Sequence, residues 1–110
     1  MGNPRSRNGN ARRKLRLRLM SEHRDCWICR EFGRRATIDY SLPAGHPMSF
    51  EVDELVPVSK GGSPLDYYNV DAVHRRCNQW RGNKSVATVR RMARGDAPPM
   101  PTEGTTSRDW

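Results

Sequence analysis

Apolar residues in this chain occur in short, separated clusters, and the spacing within each cluster sets the element it predicts. In ARRKLRLRLMSEHR, Leu15 and Leu19 lie one helical turn apart among Arg12, Arg13, Lys14, Arg16 and Arg18. This predicts a short helix with one apolar stripe and an otherwise cationic surface. The runs TIDYSL and SFEVDELVPV hold β-branched and aromatic residues, and the intervening PAGHP suits a loop, so the pair predicts a β-hairpin with a short connection. SKGGSPLDYYNV is loop chemistry. AVHRRCNQWRG reads as a short helix stopped by Gly82, and NKSVATVRRMARG as another, with Val86, Val89 and Met92 at helical spacing and Gly95 as its stop. The polar, turn-rich MGNPRSRNGN is expected to be disordered, with nucleic acid as the partner that would order it, and the proline-rich stretch from Asp96 onward to be a flexible tail. The expected organisation is an arm over 1–10, one domain over 11–95 and a tail over 96–110, with no internal repeats.

In FEVDELVPVSKGG, a strict strand puts Phe50, Val52, Glu54 and Val56 on one face and Glu51, Asp53 and Leu55 on the other. A charged Glu54 on the apolar phase is a misfit. Either the strand ends at Asp53, as Pro57 allows, or a metal or basic group meets Glu54 there.

Composition sharpens the picture in two ways. The 110 residues are only 35% hydrophobic, so apolar burial needs help from a covalent or metal staple. Twenty Lys and Arg against twelve Asp and Glu give a net charge of +8, which favours a polyanionic partner, nucleic acid or an acidic membrane. No apolar run reaches the roughly 18 residues of a membrane-spanning helix, and the N-terminus lacks a signal-peptide core, so a soluble, cytoplasmic protein is expected.

Three cysteines cannot all pair within one chain, and a C-x-x-C pair in a reducing compartment more often binds metal than forms a bridge. Cys26 and Cys29 bracket two residues, as do His74 and Cys77 much further along. Two such soft-ligand pairs are what a closed tetrahedral Zn²⁺ site requires, and the ion would pin the N-terminal turn against the later helix. His74 retains a second option: on a helix it lies one turn before Asn78 and would be able to face a different, catalytic ion.

From Cys26 to Lys84 the chain resembles the HNH nucleases of the ββα-metal fold, in particular the small zinc-stapled versions of bacteriophages. The resemblance is carried by VDELVPVSKGG, Asn69 in NV, HRRCNQWRGNK and the upstream C-x-x-C. It implies an α+β fold with a β-hairpin, a helix, flanking helices and a zinc knuckle around the core. It also implies that Asp53 and Asn78 hold a catalytic Mg²⁺ or Mn²⁺, that Asn69 braces the loop, and that Glu54 stands where the family usually has its histidine base. A carboxylate is the weaker base. Glu54 as base, Glu54 as a third metal ligand with a metal-bound hydroxide or His46 of AGHP as the base, and an inactive site are the three options. Arg81 and Lys84, beside the presumed ion, are placed to hold a phosphate, while Trp80 reads as core.

The resulting expectation is a metal-dependent DNA endonuclease or nickase that grips the phosphate backbone through Arg12, Arg13, Lys14, Arg16 and Arg18. Neither a membrane nor a small-molecule substrate is expected. The phage-type resemblance further implies a role in genome packaging beside terminase subunits. The alternative is a zinc-stapled DNA-binding protein of the same fold without catalysis.

Overall fold

The computed structural model describes the backbone of residues 4–95 and the side chains of residues 9–95. The elements follow in the order α1 (Pro4–Ser21), α2 (Trp27–Glu31), β1 (Phe50–Glu54), β2 (Val70–His74), α3 (Arg75–Arg81) and α4 (Val86–Ala93). Two 3₁₀ turns, Val58–Lys60 and Tyr67–Asn69, lie in the long connection between the strands. The architecture is α+β, with a β–β–α succession at its centre and helices on either side. No helix among the described residues is long and apolar enough to cross a membrane.

The first helix opens at Pro4, whose fixed φ suits a first turn, so residues 4–10 of the expected arm form the start of α1. Residues 1–3 of that arm and the tail over 96–110 lie outside the described residues. Leu19 anchors the helix, fully buried in the core, and Leu15 is half-buried on the same stripe, whereas Arg12, Arg13, Lys14, Arg16 and Arg18 are exposed.

The strands pair antiparallel, with Phe50 opposite His74, Val52 opposite Ala72 and Glu54 opposite Val70. This corrects the expected hairpin: the partner of β1 is β2, not TIDYSL. The extended run of TIDYSL stops at Asp39, whose carboxylate accepts hydrogen bonds from the backbone N–H (3.0 Å) and hydroxyl (2.6 Å) of Ser41 and turns the chain. Ile38 nevertheless joins the core. The helix expected over AVHRRCNQWRG begins only at Arg75, because the VDAVH segment is drawn into the sheet, and it ends at Gly82 as predicted. α4 follows its predicted pattern, with Val89 fully buried and Ser85 capping its N-terminus by accepting from the N–H of Thr88.

Leu19, Ile28, Phe50, Ala72, Val73, Trp80 and Val89 form the centre of the core. Trp80 is a core residue, meeting Phe32 edge-on with ring centroids 5.7 Å apart.

The β1–β2 connection is held by Asn69. Its amide nitrogen donates to the carbonyls of Val56 (2.9 Å) and Ser63 (3.0 Å), and its amide oxygen accepts from the N–H of Val56 (3.0 Å). Gly62 lies under this clamp, where a Cβ would come 1.7 Å from the carbonyl oxygen of Val56 and 2.8 Å from the Asn69 amide nitrogen. No side chain fits there. Gly62→Ala is therefore expected to cost about 2 kcal/mol or more, through forced backbone movement and loss of the clamp. Gly9→Ala, in the helix with nothing within 4 Å of the new Cβ, is expected to stabilise by roughly 0.5–1 kcal/mol. Urea unfolding of the two variants tests both signs, and an unaltered midpoint for Gly62→Ala would contradict the close approach.

Candidate functional site

The first C-x-x-C enters at the start of α2: Cys26 precedes the helix and Cys29 lies one turn into it. His74 ends β2 and Cys77 sits in the first turn of α3. The chain thus delivers two ligands from each of two distant segments, and all four ligand atoms fall within 4.8 Å of one another in a buried cluster. The Cys29 thiol is 3.5 Å from Nδ1 of His74 and 3.6 Å from the Cys77 thiol. Nε2 of His74 lies 3.1 Å from the carbonyl oxygen of Thr37, an acceptor that fixes the proton on Nε2 and turns the Nδ1 lone pair toward the sulfurs. This settles the earlier ambiguity: His74 faces the cysteines and not Asn78.

Two of the thiols, Cys29 and Cys77, are strongly perturbed by their neighbours. Hydrogen bonds from Cys26 and Cys77, helped by the charge of Arg34, pull Cys29 down to about 3, and the same crowding pushes Cys77 up. Burial alone would lower His74, but Cys26 and the Thr37 carbonyl outweigh it and raise the imidazole. A buried knot of this composition suits a soft cation, and these four residues could hold a metal ion such as zinc.

The two adjacent carboxylates part company. Asp53, 6% exposed, points from β1 toward α3, and its Oδ2 accepts from the indole N–H of Trp27 (2.8 Å) and from Nη1 of Arg81. Arg81 is itself buried and almost fully engaged: it also donates to the carbonyls of Glu54 (3.0 Å), Leu55 (2.7 Å) and Lys84 (2.9 Å). Two expectations change here. The misfit charge on the strand is Asp53, not Glu54, and the cation that meets it is Arg81, which therefore is not a surface group waiting for a phosphate. Burial raises the Asp53 carboxyl, and the Arg81 charge and the hydrogen bonds from Trp27 and Arg81 offset only part of that rise.

Glu54 is half-buried on the opposite face, and its carboxylate takes part in no hydrogen bond or ion pair among the described residues. Together with Val52 it lines two openings. One is a cavity of about 290 Å³ shared with Asp53, Pro57, Asn78, Arg81 and Gly82. The other is a cleft of about 460 Å³ facing Arg12, Arg13, Leu15 and Arg16 of α1. Asp53, Glu54 and Asn78 are thus brought to one cavity, and the basic helix lies across Glu54 from it.

The remaining predicted residues are placed as follows. Asn69 braces the loop. Lys84 donates to the Trp80 carbonyl (2.9 Å) and lies over the Trp80 ring, folded back on the protein instead of facing the cavity. His46 is exposed in its loop and accepts from the Met48 N–H (3.0 Å), and it lines neither opening. Sequence reasoning missed Glu51 and Trp27. Glu51 accepts from the Asn78 amide nitrogen (2.9 Å) and pairs with Arg75 (3.1 Å), which orients the Asn78 amide. Strand alternation already put Glu51 on the face of Asp53, and that was its one signal.

Two outcomes follow. Arg81→Met is expected to cost about 3–5 kcal/mol, because it leaves a buried carboxylate unpaired and three carbonyls without their donor. Adding Asp53→Asn should recover part of that loss, which urea titration of the single and double variants measures. If the double variant is no more stable than Arg81→Met, the pair is not the fastening described. Chelation, or Cys26→Ser, should abolish the cooperative unfolding transition in circular dichroism, since the ligands join two segments distant in the sequence and lie within the small core they share. A native spectrum in verifiably metal-free protein would contradict this. Compared with protein-family models, with curated proteins and with solved structures, the chain matches none.

Proposed function

We propose that this chain is an HNH-type, metal-dependent DNA endonuclease or nickase, stapled by Zn²⁺ at Cys26, Cys29, His74 and Cys77. The observation that carries the reading is the convergence of Asp53, Glu54 and Asn78 on one open cavity, where the end of β1 meets α3. The β–β–α order and the Asn69 clamp are what the resemblance to that family implies around such a cavity.

The donor set fits a hard divalent cation. Asp53 commits only Oδ2 to Trp27 and Arg81, and Asn78 uses its nitrogen on Glu51, so each keeps an oxygen for coordination. Mg²⁺ or Mn²⁺ held there would supply charge stabilisation for the phosphoryl oxygens and the departing oxygen. The chain's own residues do the rest. Glu54, the one carboxylate of the cavity without a partner among the described residues, accepts a proton from the water that attacks phosphorus, while a P–O ester bond breaks. Arg81 holds Asp53 in place, and Glu51 turns the Asn78 amide. Arg12, Arg13 and Arg16, across the cleft from Glu54, attract the phosphate backbone. The association with genome packaging and terminase rests on the resemblance alone.

A second reading has its own observation. Arg81 already neutralises Asp53, which weakens the pull of that carboxylate on a second cation and favours a zinc-stapled DNA-binding protein without catalysis. Supercoiled plasmid incubated with the protein and Mg²⁺ or Mn²⁺ separates the two. Nicking is expected, and Glu54→Gln should lower its rate by roughly 10² to 10⁴ with an unchanged metal requirement. Plasmid binding without any nicking would move the assignment to the second reading. A Glu54→Gln variant as fast as the wild type would remove Glu54 as the base.

A further inference from the structure

The long β1–β2 connection presents one aromatic side chain to solvent in an unusual way. Tyr68 is 85% exposed, although its backbone and its neighbours are firmly held. Asp66 caps the 3₁₀ turn by accepting from the Tyr68 N–H (2.9 Å). The Tyr68 ring stands edge-on to Tyr67, with centroids 5.1 Å apart. Tyr67 is fixed in turn: its hydroxyl is held by Glu22 (2.9 Å) and Arg24, and the guanidinium of Arg18 lies 3.5 Å from its ring centroid. The exposed ring is therefore carried on a held backbone against a fixed neighbour, next to the end of a helix that exposes Arg12, Arg13, Lys14, Arg16 and Arg18.

We propose that Tyr68 is a base-stacking residue that takes an unpaired nucleobase while the cations of α1 hold the flanking phosphates, so that the protein prefers nucleic acid with a short single-stranded interruption over an intact duplex. A π-face accepts any base, which makes such a contact tolerant of sequence, and a ring on a held backbone leaves only its own rotamers to be fixed when it is covered. The charge beside it selects the partner, because a cationic helix flanking an aromatic platform complements a polyanion with aromatic bases. The turn that carries Tyr68 leads directly into Val70, the residue paired with Glu54, so the platform and the proposed site lie on consecutive segments of the chain. The inference deepens the nucleic-acid reading given above and depends on it.

The test measures binding, not cleavage. A fluorescent duplex, and the same duplex with a short gap containing 2-aminopurine, are titrated with full-length protein without added Mg²⁺ or Mn²⁺. Wild type is expected to prefer the gapped DNA and to quench the 2-aminopurine as it stacks. Tyr68→Ala should weaken gapped binding by roughly 5- to 100-fold and abolish the quench, with intact-duplex binding within about twofold of wild type. Tyr68→Phe should retain both the preference and the quench. The proposal fails if Tyr68→Ala binds and quenches like wild type, or if it loses both DNAs equally. Wild type that binds both DNAs without preference would overturn this inference alone, whereas wild type that binds neither would overturn the nucleic-acid reading with it.

Discussion

The buried contact between Arg81 and Asp53 is the constraint on which the centre of this fold depends. A two-stranded sheet is too small to be stable by itself, and the register of this one sets Asp53 directly opposite Asp71, two carboxylates on neighbouring strands. Each is met by its own arginine. Arg81 reaches Asp53 from α3, and Arg24 reaches Asp71 (3.1 Å) from the segment after α1. Burying a charge pair is no reliable source of net stability, but removing either partner leaves the other stranded, so the contact specifies one arrangement even where it adds little energy. Because Arg81 also donates to the carbonyls of Glu54, Leu55 and Lys84, one side chain ties the end of the strand to the turn that follows α3.

The Cys and His knot is mechanically linked to this contact. Cys26 is followed by Trp27, whose indole N–H reaches the same carboxylate oxygen as Arg81, and Cys77 lies four residues before Arg81 on the same face of α3. The elements that would be drawn together by a metal ion, α2 and α3, are thus the ones that enclose Asp53. A change at the knot should therefore be felt at the carboxylate, and a small core can accept a buried charge because two linked fastenings hold its surroundings. Neither fastening acts through apolar area, which fits a chain with a mean hydropathy of −0.92.

Much of this was legible in the sequence where side-chain spacing carries the information. The two x₂ ligand pairs and the Val86, Val89 and Met92 stripe depend on local periodicity and were read correctly. So was the stop at Gly82. What escaped depends on pairing between distant segments. VDAVH is too short for its period to separate strand from helix, and only the edge of β1 decides it. The burial of Asp53 in place of Glu54 was hidden for the same reason: alternation assigned the two residues to opposite faces, but which face meets α3 is set by tertiary packing. Arg81 read as a phosphate-holding cation because nothing local to RGNK marks a guanidinium that will be enclosed by three carbonyls and a carboxylate.

The separation of the two carboxylates also bears on why the basic helix lies where it does. Asp53 carries its own counter-charge, so its field is largely cancelled within the protein, while Glu54 presents to both the cavity and the cleft a carboxylate that is unpaired among the described residues. A phosphate approaching Glu54 is repelled by it, and in a partly desolvated cleft that repulsion is stronger than in bulk water. Arg12, Arg13 and Arg16 on the opposite wall would supply the compensating attraction for such a phosphate. On the proposed reading α1 does more than raise affinity for DNA at long range: it makes an anionic base compatible with an anionic substrate. A histidine in place of Glu54, neutral when it accepts a proton, would need no such helix. On that reading the glutamate on β1 and the cationic wall across the cleft form one device, in which the choice of base and the charge of the helix belong together.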